Sequence, residues 1–292
     1  MKAYLECVPC ITSQIIRILN KQEPDTAKRQ AILSKILVHF SGEDITAHSA
    51  PSLTQGVHQI LKESLGFRDL YIEDKAFCNR EALLHFDAAT TLFEASSDPL
   101  ETAIKLAISG NLIDYGALSH FDVAHVIDDY VHRPFSIDHL KSFRDNLAKP
   151  QNILYICDNA GEIVFDKILV QYLITNGHQV TVAVKSEPIL NDALYEDAVS
   201  VGMTDITTVI PSGSSTAGTL LSQSTPAFRQ ALNGASLIIS KGQGNFETLS
   251  EETFSSPLYY LLLSKCPHIS KVLHIEPFSL MLVEHAAMFG AK

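Results

Sequence analysis

One segment of this chain shows its architecture most directly: Ile153-Leu154-Tyr155-Ile156-Cys157-Asp158-Asn159-Ala160-Gly161-Glu162. Its short apolar run predicts a buried strand, which passes directly into an acid and an amide side chain. In open α/β sheets, ligands bind just beyond the carboxyl ends of the strands. Asp158 and Asn159 therefore occupy the place where such a sheet builds its site, and their oxygen atoms suit a hard metal ion.

A second apolar run, further along the chain, leads into a cation and two glycines: Ser236-Leu237-Ile238-Ile239-Ser240-Lys241-Gly242-Gln243-Gly244-Asn245. A lysine and exposed backbone N–H groups at a strand end are what an anion site needs. We therefore predict that Lys241, Gly242, Gly244 and Asn245 contact an anionic substrate.

The period of the apolar residues divides the chain into two regions. Before about Leu147, apolar residues recur at helical spacing in four groups: Ile11, Ile15, Ile18 and Leu19; Ala31, Ile32, Ile36 and Leu37; Val57, Ile60, Leu61 and Leu65; Ala103, Leu106 and Ala107. After Asn152, short apolar runs alternate with helical stretches, at 153–157, 180–184, 206–210, 236–240 and 271–275. This alternation predicts βαβ units around a mostly parallel sheet. We place the boundary near Pro150, with a helical domain at 1–149 and an α/β catalytic domain at 150–292.

The strand predicted at 180–184 is followed by a loop that ends in Asp192, 34 residues after Asp158. One βαβ step separates the two acids, so Asp192 can reach the same crevice from the adjacent strand end. Three oxygen ligands from two loops leave positions on a metal open for water and a phosphate oxygen. Asn111 and Asp114 lie in the helical region, where a substrate-binding role and a capping or turn role are equally favoured.

Each of these residues also has an ordinary structural alternative. Asp158 suits a helix N-cap, Asn159 a left-handed turn, Asp192 a solvated helix position and Lys241 an exposed turn. The alternative role of Gly242 and Gly244 is only to permit positive φ. We further expect Glu162 and Asp166, four residues apart, to be a solvated pair and His274 to be a buried core histidine within a strand.

Composition and charge argue against several classes of protein, including nucleic-acid-binding, membrane-spanning and disulfide-rich proteins. The chain has 292 residues, 46% of them hydrophobic, and a net charge of -11, which argues against a nucleic-acid partner. No apolar run is long enough to span a membrane and the start lacks the apolar core of a signal peptide, so we expect a cytoplasmic protein. Five cysteines do not form a disulfide framework. Cys7 and Cys10 form a Cys-x-x-Cys pair that suits metal binding, redox cycling or simply the start of a helix.

Several familiar sites are excluded by missing residues. No Gly-x-x-x-x-Gly-Lys-Ser/Thr and no Gly-x-Ser-x-Gly occurs, which excludes a P-loop and leaves a serine hydrolase unsupported. Gly242 and Gly244 begin a dinucleotide fingerprint, but Glu247 stands where the third glycine belongs. The missing fingerprint also weakens a methyltransferase hypothesis.

Taken together, three motifs resemble the DUF89 family of metal-dependent phosphatases, which is linked to metabolite damage control: Asp158-Asn159-Ala160-Gly161-Glu162, Pro188-Ile189-Leu190-Asn191-Asp192 and Ser240-Lys241-Gly242-Gln243-Gly244-Asn245. Glu6-Cys7-Val8-Pro9-Cys10 is similar to the start of its stand-alone prokaryotic subfamily. The resemblance spans nearly the whole chain. It implies a helical region packed on a Rossmann-like α/β/α sandwich, a divalent metal at Asp158, Asn159 and Asp192, and phosphate near Lys241.

The expected function is therefore metal-dependent hydrolysis of phosphomonoesters of small metabolites, such as sugar phosphates or nucleotide-related compounds. Asp158, Asn159 and Lys241 would be the catalytic residues, with either water or Asp158 as the nucleophile. An oxygen-rich ligand set accepts Mg²⁺, Mn²⁺, Co²⁺ or Ni²⁺. The alternative is a non-catalytic sensor that binds a phosphometabolite or metal in the same crevice. The sequence does not indicate the oligomeric state.

Overall fold

The computed structural model describes residues 1–113 and 123–290, and the first part of the chain is helical, as the apolar spacing predicts. The helices are α1 (Cys7–Gln22), α2 (Thr26–Ser41), α3 (Ala50–Leu65), α4 (Ile72–Leu84), α5 (Phe86–Glu94), α6 (Pro99–Ser109) and α7 (Val123–His132). Side-chain caps start several of them, since Asp25, Ser49 and Asp98 each accept a hydrogen bond from a backbone N–H in the following turn. A short 3₁₀ helix, Gly110–Ile113, continues α6.

The rest of the chain alternates strands with helices. The elements are β1 (Ile137–Asp138), α8 (Leu140–Leu147), β2 (Asn152–Ile156), α9 (Glu162–Thr175), β3 (Gln179–Val184), α10 (Tyr195–Ser200), β4 (Thr208–Pro211), α11 (Pro226–Gly234), β5 (Leu237–Lys241), α12 (Gln243–Leu249), β6 (Leu258–Leu263), α13 (Pro267–Leu273), β7 (Leu280–Glu284) and α14 (His285–Phe289). They build a seven-stranded sheet in the order β1-β7-β6-β5-β2-β3-β4, in which only the β6–β7 pair is antiparallel among the described residues. The predicted mostly parallel sheet is confirmed.

One predicted strand, at 271–275, is wrong. Its first residues end α13, a helix that begins with Pro267 at its first position, and His274 caps that helix with a left-handed φ of 55°. His274 is also exposed rather than buried in a core. Five apolar residues are too few to distinguish a strand from the last turn of a helix. The strands β1, β6 and β7 complete the sheet instead.

Helices cover both faces of the sheet and form an α/β/α arrangement. On one face, α9 packs along α6, and the core there contains residues from both sides of the predicted boundary at 149/150, such as Ile104 and Leu169. The other face is covered by α11, α12 and α13 around Phe228 and Phe246. A separate apolar cluster joins α1, α2 and α3. The two predicted regions thus share a core, and the division into domains stays a prediction.

Strand order brings the two motif-bearing crossings together. β2 lies between β3 and β5 and is parallel to both, so the carboxyl ends of these three strands meet at one edge of the sheet. No helix within residues 1–113 and 123–290 combines the length and apolar composition needed to cross a bilayer.

A buried histidine on α3 makes the fold sensitive to acid. His58 is almost fully buried, its ring lies near that of Tyr71, and its Nε2 atom has no hydrogen-bond partner. Burial, and secondarily the charge of Lys62, lower the pKa of His58 to about 3. The folded state therefore binds this proton less readily than the unfolded chain, and the stability that neutral His58 provides is lost as the pH falls from about 6.5 towards 3.

We expect His58→Gln to reduce the loss of stability in acid. For the wild-type chain, this one group should remove about 2 kcal/mol from the free energy of unfolding between pH 7 and pH 5, which the variant should not lose. Urea denaturation of both proteins at the two pH values measures the difference, with exposed His274→Gln as the control. Equal pH dependence in wild type and His58→Gln would contradict the expectation.

Candidate functional site

The carboxyl ends of β2 and β3 hold the two predicted acids side by side. Asn159 and Asp192 form an isolated antiparallel bridge, and the N–H of Ala193 donates to the carbonyl oxygen of Asp158 at 2.8 Å. Asp158 and Asp192 are only 8% and 3% exposed. The backbone therefore joins the predicted ligand residues to one another, with the two acids buried and Asn159 half-buried. The alternative of Asp192 as a solvated helix position is wrong.

Two amides orient the carboxylate of Asp158. Nδ2 of Asn111 donates to Oδ2 of Asp158 at 3.1 Å and to Glu162 Oε2 at 2.6 Å, so this residue of the helical region does reach the strand ends. Nδ2 of Asn159 donates to the same oxygen of Asp158 at 3.0 Å. The side-chain oxygen Oδ1 of Asn159 is therefore the atom of this residue that could bind a metal. Asp114, the other predicted residue of this region, lies outside the described residues.

Lys241 is fully buried and points into the protein. It continues the row of Leu237 and Ile239 on one face of β5, because alternate residues of a strand share a face. Its Nζ atom donates to Ala107 O at 2.8 Å, to Glu162 Oε1 at 2.5 Å and to Asp166 Oδ1 at 2.6 Å. The alternative of an exposed turn lysine is wrong. Since all three donors are occupied by protein acceptors, the predicted contact with phosphate stays a prediction.

The expectation that Glu162 and Asp166 are a solvated pair is also wrong. Both are buried on α9 and bind Lys241, and the hydroxyl of Tyr155 donates to Asp166 at 2.6 Å. The sequence carries a signal for this burial, because apolar residues occur on every side of α9. A helix of that kind is buried, and acids within it must be paired.

A second buried lysine lies on the other side of the site. Lys185 directly follows β3, and its Nζ atom donates to Gly218 O at 2.5 Å and lies 3.5 Å from Asp192 Oδ2. That oxygen of Asp192 is buried and accepts no hydrogen bond within the described part of the chain. Lys185 was not predicted, although a lysine immediately after an apolar strand is the same signal that pointed to Lys241.

The buried charges around Asp158 do not balance. Four buried carboxylates, Asp158, Glu162, Asp166 and Asp192, face two buried ammonium groups, so that two negative charges remain when all the acids are ionised. Burial and then the charges of Glu162 and Asp192 raise the pKa of Asp158 well above its usual range. Burial also raises the pKa of Asp192, to about 6, against the opposing charge of Lys185.

This imbalance, together with the orphaned oxygen of Asp192, fits a divalent cation at Asp158, Asn159 and Asp192, because oxygen ligands and two excess negative charges match a hard dication. Among the residues that the structure describes, no group of three or more His, Cys, Asp and Glu side chains is arranged to hold a metal ion. The set of Asp158, Asn159 and Asp192 is not such a group, because only two of its three ligands are carboxylates and the third is an amide. A metal held by these three residues keeps positions open for water and substrate.

The glycine turn after β5 lies directly against Asp158. A Cβ atom on Gly242 would stand 1.9 Å from Oδ2 of Asp158. The φ of Gly242 is +78°. A Cβ on Gly244 would stand 1.8 Å from the carbonyl oxygen of Ala217. The N–H of Gly242 donates to Leu261 O at 3.0 Å, so it is not the free anion donor that we expected. Close approach of the backbone explains both glycines.

Asn245 of α12 joins the end of β5 to the loops that follow β2 and β4. Its Nδ2 donates to the carbonyl oxygens of Cys157 and Lys241 at 3.1 and 2.8 Å, and its Oδ1 accepts from the hydroxyl of Thr219 at 2.9 Å. The side chain is fully buried. Its hydrogen bonds go to protein groups, and its predicted contact with substrate stays a prediction.

A model of the damage-control phosphatase ARMT1-like domain matches residues 3–279 of this chain. The chain belongs to this family. Its members are phosphatases, which identifies the class of reaction, and they generally depend on a divalent metal.

Individual relatives align with this chain over most or nearly all of its length. The chain is 34% identical over 291 residues to damage-control phosphatase PH1575 of Pyrococcus horikoshii, covering 98% of this chain and 99% of that protein. It is 31% identical over 243 residues to a damage-control phosphatase of Archaeoglobus fulgidus, covering 81% and 82%. A crystal structure of the DUF89 family protein PH1575 superposes with a TM-score of 0.88 at 30% identity and covers 98% of this chain and 99% of the other.

We expect the substitution Gly242→Ala to displace the carboxylate of Asp158. The new methyl group must push Asp158 away from the amides of Asn111 and Asn159, which costs about 1–3 kcal/mol beyond the strain at positive φ. Gly66→Ala is a matched control, because Gly66 has a φ of +76° but no atom within 4 Å of the added Cβ. Urea denaturation measures both variants. Equal destabilisation would show that the approach to Asp158 is not the reason for the glycine.

Lys241→Met should destabilise the fold by about 3–5 kcal/mol, because it leaves Glu162 and Asp166 buried without their cation. Adding Glu162→Gln and Asp166→Asn should recover much of this loss, since the same cavity then holds neutral groups. The free energy of unfolding of the single and triple variants tests the idea, with exposed Lys141→Met as the control. A triple variant no more stable than Lys241→Met would count against it.

Proposed function

We propose that this member of the damage-control phosphatase family hydrolyses phosphomonoesters of small metabolites, such as sugar phosphates or nucleotide-related compounds, with a divalent metal held by Asp158, Asn159 and Asp192. The observation that supports it most is the pair of uncompensated negative charges buried at the carboxyl ends of β2 and β3. Such an excess is costly in a buried site, so it is removed either by protons, at the raised pKa of Asp158, or by a bound cation.

A phosphomonoester resists hydrolysis because attack brings an oxygen nucleophile towards an anion and expels a poor leaving group. When bound, the metal supplies Lewis-acid stabilisation of the phosphoryl oxygens and lowers the pKa of a water. The side chains of the protein position the ligands. Asn111 and Asn159 fix the carboxylate of Asp158, while Lys241 fixes Glu162, which in turn accepts from Asn111.

The loop that carries Asp192 also lines a cavity large enough for a small molecule. Ile189, on the loop that carries Asp192, lines a cavity of about 530 Å³ together with Gln55 and Lys62 of α3 and Ser215 of the loop after β4. Lys62 donates to Pro188 O, and Gln55 donates to the hydroxyl of Ser215. The helical region thus closes over the strand-end loops, so we propose that it determines which metabolite is accepted.

Phosphate release tests this proposal. After treatment with a chelator, the chain should hydrolyse members of a phosphometabolite panel only when Mg²⁺, Mn²⁺, Co²⁺ or Ni²⁺ is returned. Asp158→Asn should lower the rate of phosphate release at least about a hundredfold, because it removes a charged ligand of the metal. The exposed Asp145→Asn is the matched control and should retain wild-type activity.

The competing hypothesis is a sensor that uses the same crevice without turnover. Calorimetry with the same panel distinguishes the two, since a sensor binds a phosphometabolite tightly and releases no phosphate. Full activity in chelator-treated protein, or in Asp158→Asn, would refute the metal-dependent proposal.

A further inference from the structure

Four side chains with metal-ligating atoms lie at the starts of two helices and do not belong to the group of acids around Asp158. Cys7 and Cys10 are three residues apart in the first turn of α1 and therefore share a face. Cys266 is the N-cap of α13, and His268 lies in its first turn. The ring of Tyr4 lies with its centroid 3.6 Å from that of His268, which brings the start of α1 against the start of α13.

The two ring nitrogens of His268 have different surroundings. Its Nδ1 atom lies 3.9 Å from Oε2 of Glu6, whereas its Nε2 atom is buried and has no hydrogen-bond partner in the described chain. Histidines that bind metals usually present their other ring nitrogen to a carboxylate. A buried ring nitrogen without a partner requires an explanation, and a bound ion is one.

The three thiols are free and close enough to influence one another. Cys7, Cys10 and Cys266 form no disulfide, and the N–H of Tyr4 lies 3.5 Å from Sγ of Cys7. Burial raises the pKa of Cys7 and Cys10, and the nearby thiol of Cys266 contributes to both shifts. The spacing Cys-x-x-Cys and Cys-x-His supplies a Cys₃His set, one of the ligand sets of structural zinc sites.

We propose that Cys7, Cys10, Cys266 and His268 bind one Zn²⁺ and so fasten the N-terminal segment to α13. The four side chains do not stand in a metal-binding arrangement in the structure, so binding requires the thiols to rotate towards His268 and to lose their protons. Because the N–H of Cys266 donates to Oε1 of Gln243, next to Gly242, this site would also support the glycine turn that faces Asp158.

Cobalt substitution tests this site separately from the proposed phosphatase site. Reduced, chelator-treated protein titrated with Co²⁺ should develop a thiolate-to-cobalt charge-transfer band, which the oxygen ligands at Asp158 and Asp192 cannot produce. The band should saturate at one Co²⁺ per chain and disappear on addition of Zn²⁺. Cys7→Ser/Cys10→Ser should remove most of the band, and Cys266→Ser should lower its intensity by about one third, because each variant removes thiolate ligands.

Matched variants separate a ligand role from general damage. Cys78→Ala removes a buried thiol elsewhere in the fold and should keep the band, and exposed His274→Gln should keep it while His268→Gln changes its intensity and position. Glu6→Gln should weaken Co²⁺ binding about tenfold, as the loss of an outer carboxylate partner does.

The proposal is overturned if the folded, reduced wild-type chain shows no band while its exposed thiols still react with a thiol reagent. It is equally overturned if Cys266→Ser leaves the intensity and position of the band unchanged. A Cys7–Cys10 disulfide in protein purified without reductant, with no band after reduction, would indicate a redox pair instead.

Discussion

The ammonium group of Lys241 is the interaction on which the site depends. It joins three elements, since it extends from β5 to the acids of α9 and to the carbonyl oxygen of Ala107 in α6. A buried ammonium is stable only when its donors are satisfied, so each of these elements has a fixed position relative to the others. Glu162, held in this way, accepts from Asn111, which donates to Asp158. The orientation of the carboxylate of Asp158 therefore follows from a cation in the core.

The sequence predicted the parts of the fold that rest on local periodicity and on rules of strand order. The runs at 153–157 and 180–184 are strands, and parallel pairing brings Asp158 and Asp192 together, as the βαβ spacing predicts. The run at 271–275 could not be interpreted in this way, because apolar residues at a helix end and in a short strand look alike. The edge strand β1 has two residues, too few to leave a pattern.

The position of the candidate site in the fold could be predicted from the sequence. The buried ion pairs beneath it could not. The solvated pair expected on α9 is buried because tertiary packing surrounds that helix, and pairing with a lysine 75 residues further along the chain cannot be seen from a four-residue spacing. Lys241 itself was placed correctly at a strand end, but the face of β5 that carries it is decided by the register of the strand. A shift of one residue in the register turns every side chain of a strand to the opposite face of the sheet.

The two buried lysines differ in the number of protein acceptors that hold them. Lys241 has three protein acceptors at 2.5–2.8 Å, and moving it would expose two acids to an apolar core. Lys185 has one short bond, to Gly218, and lies 3.4 Å from Asn245 Oδ1 and 3.5 Å from Asp192. A dication at Asp192 would compete with Lys185 for that carboxylate, because both positive charges are attracted to the same oxygens. Lys185 is therefore held by fewer close protein acceptors than Lys241, which fixes the acids of α9 beneath the site.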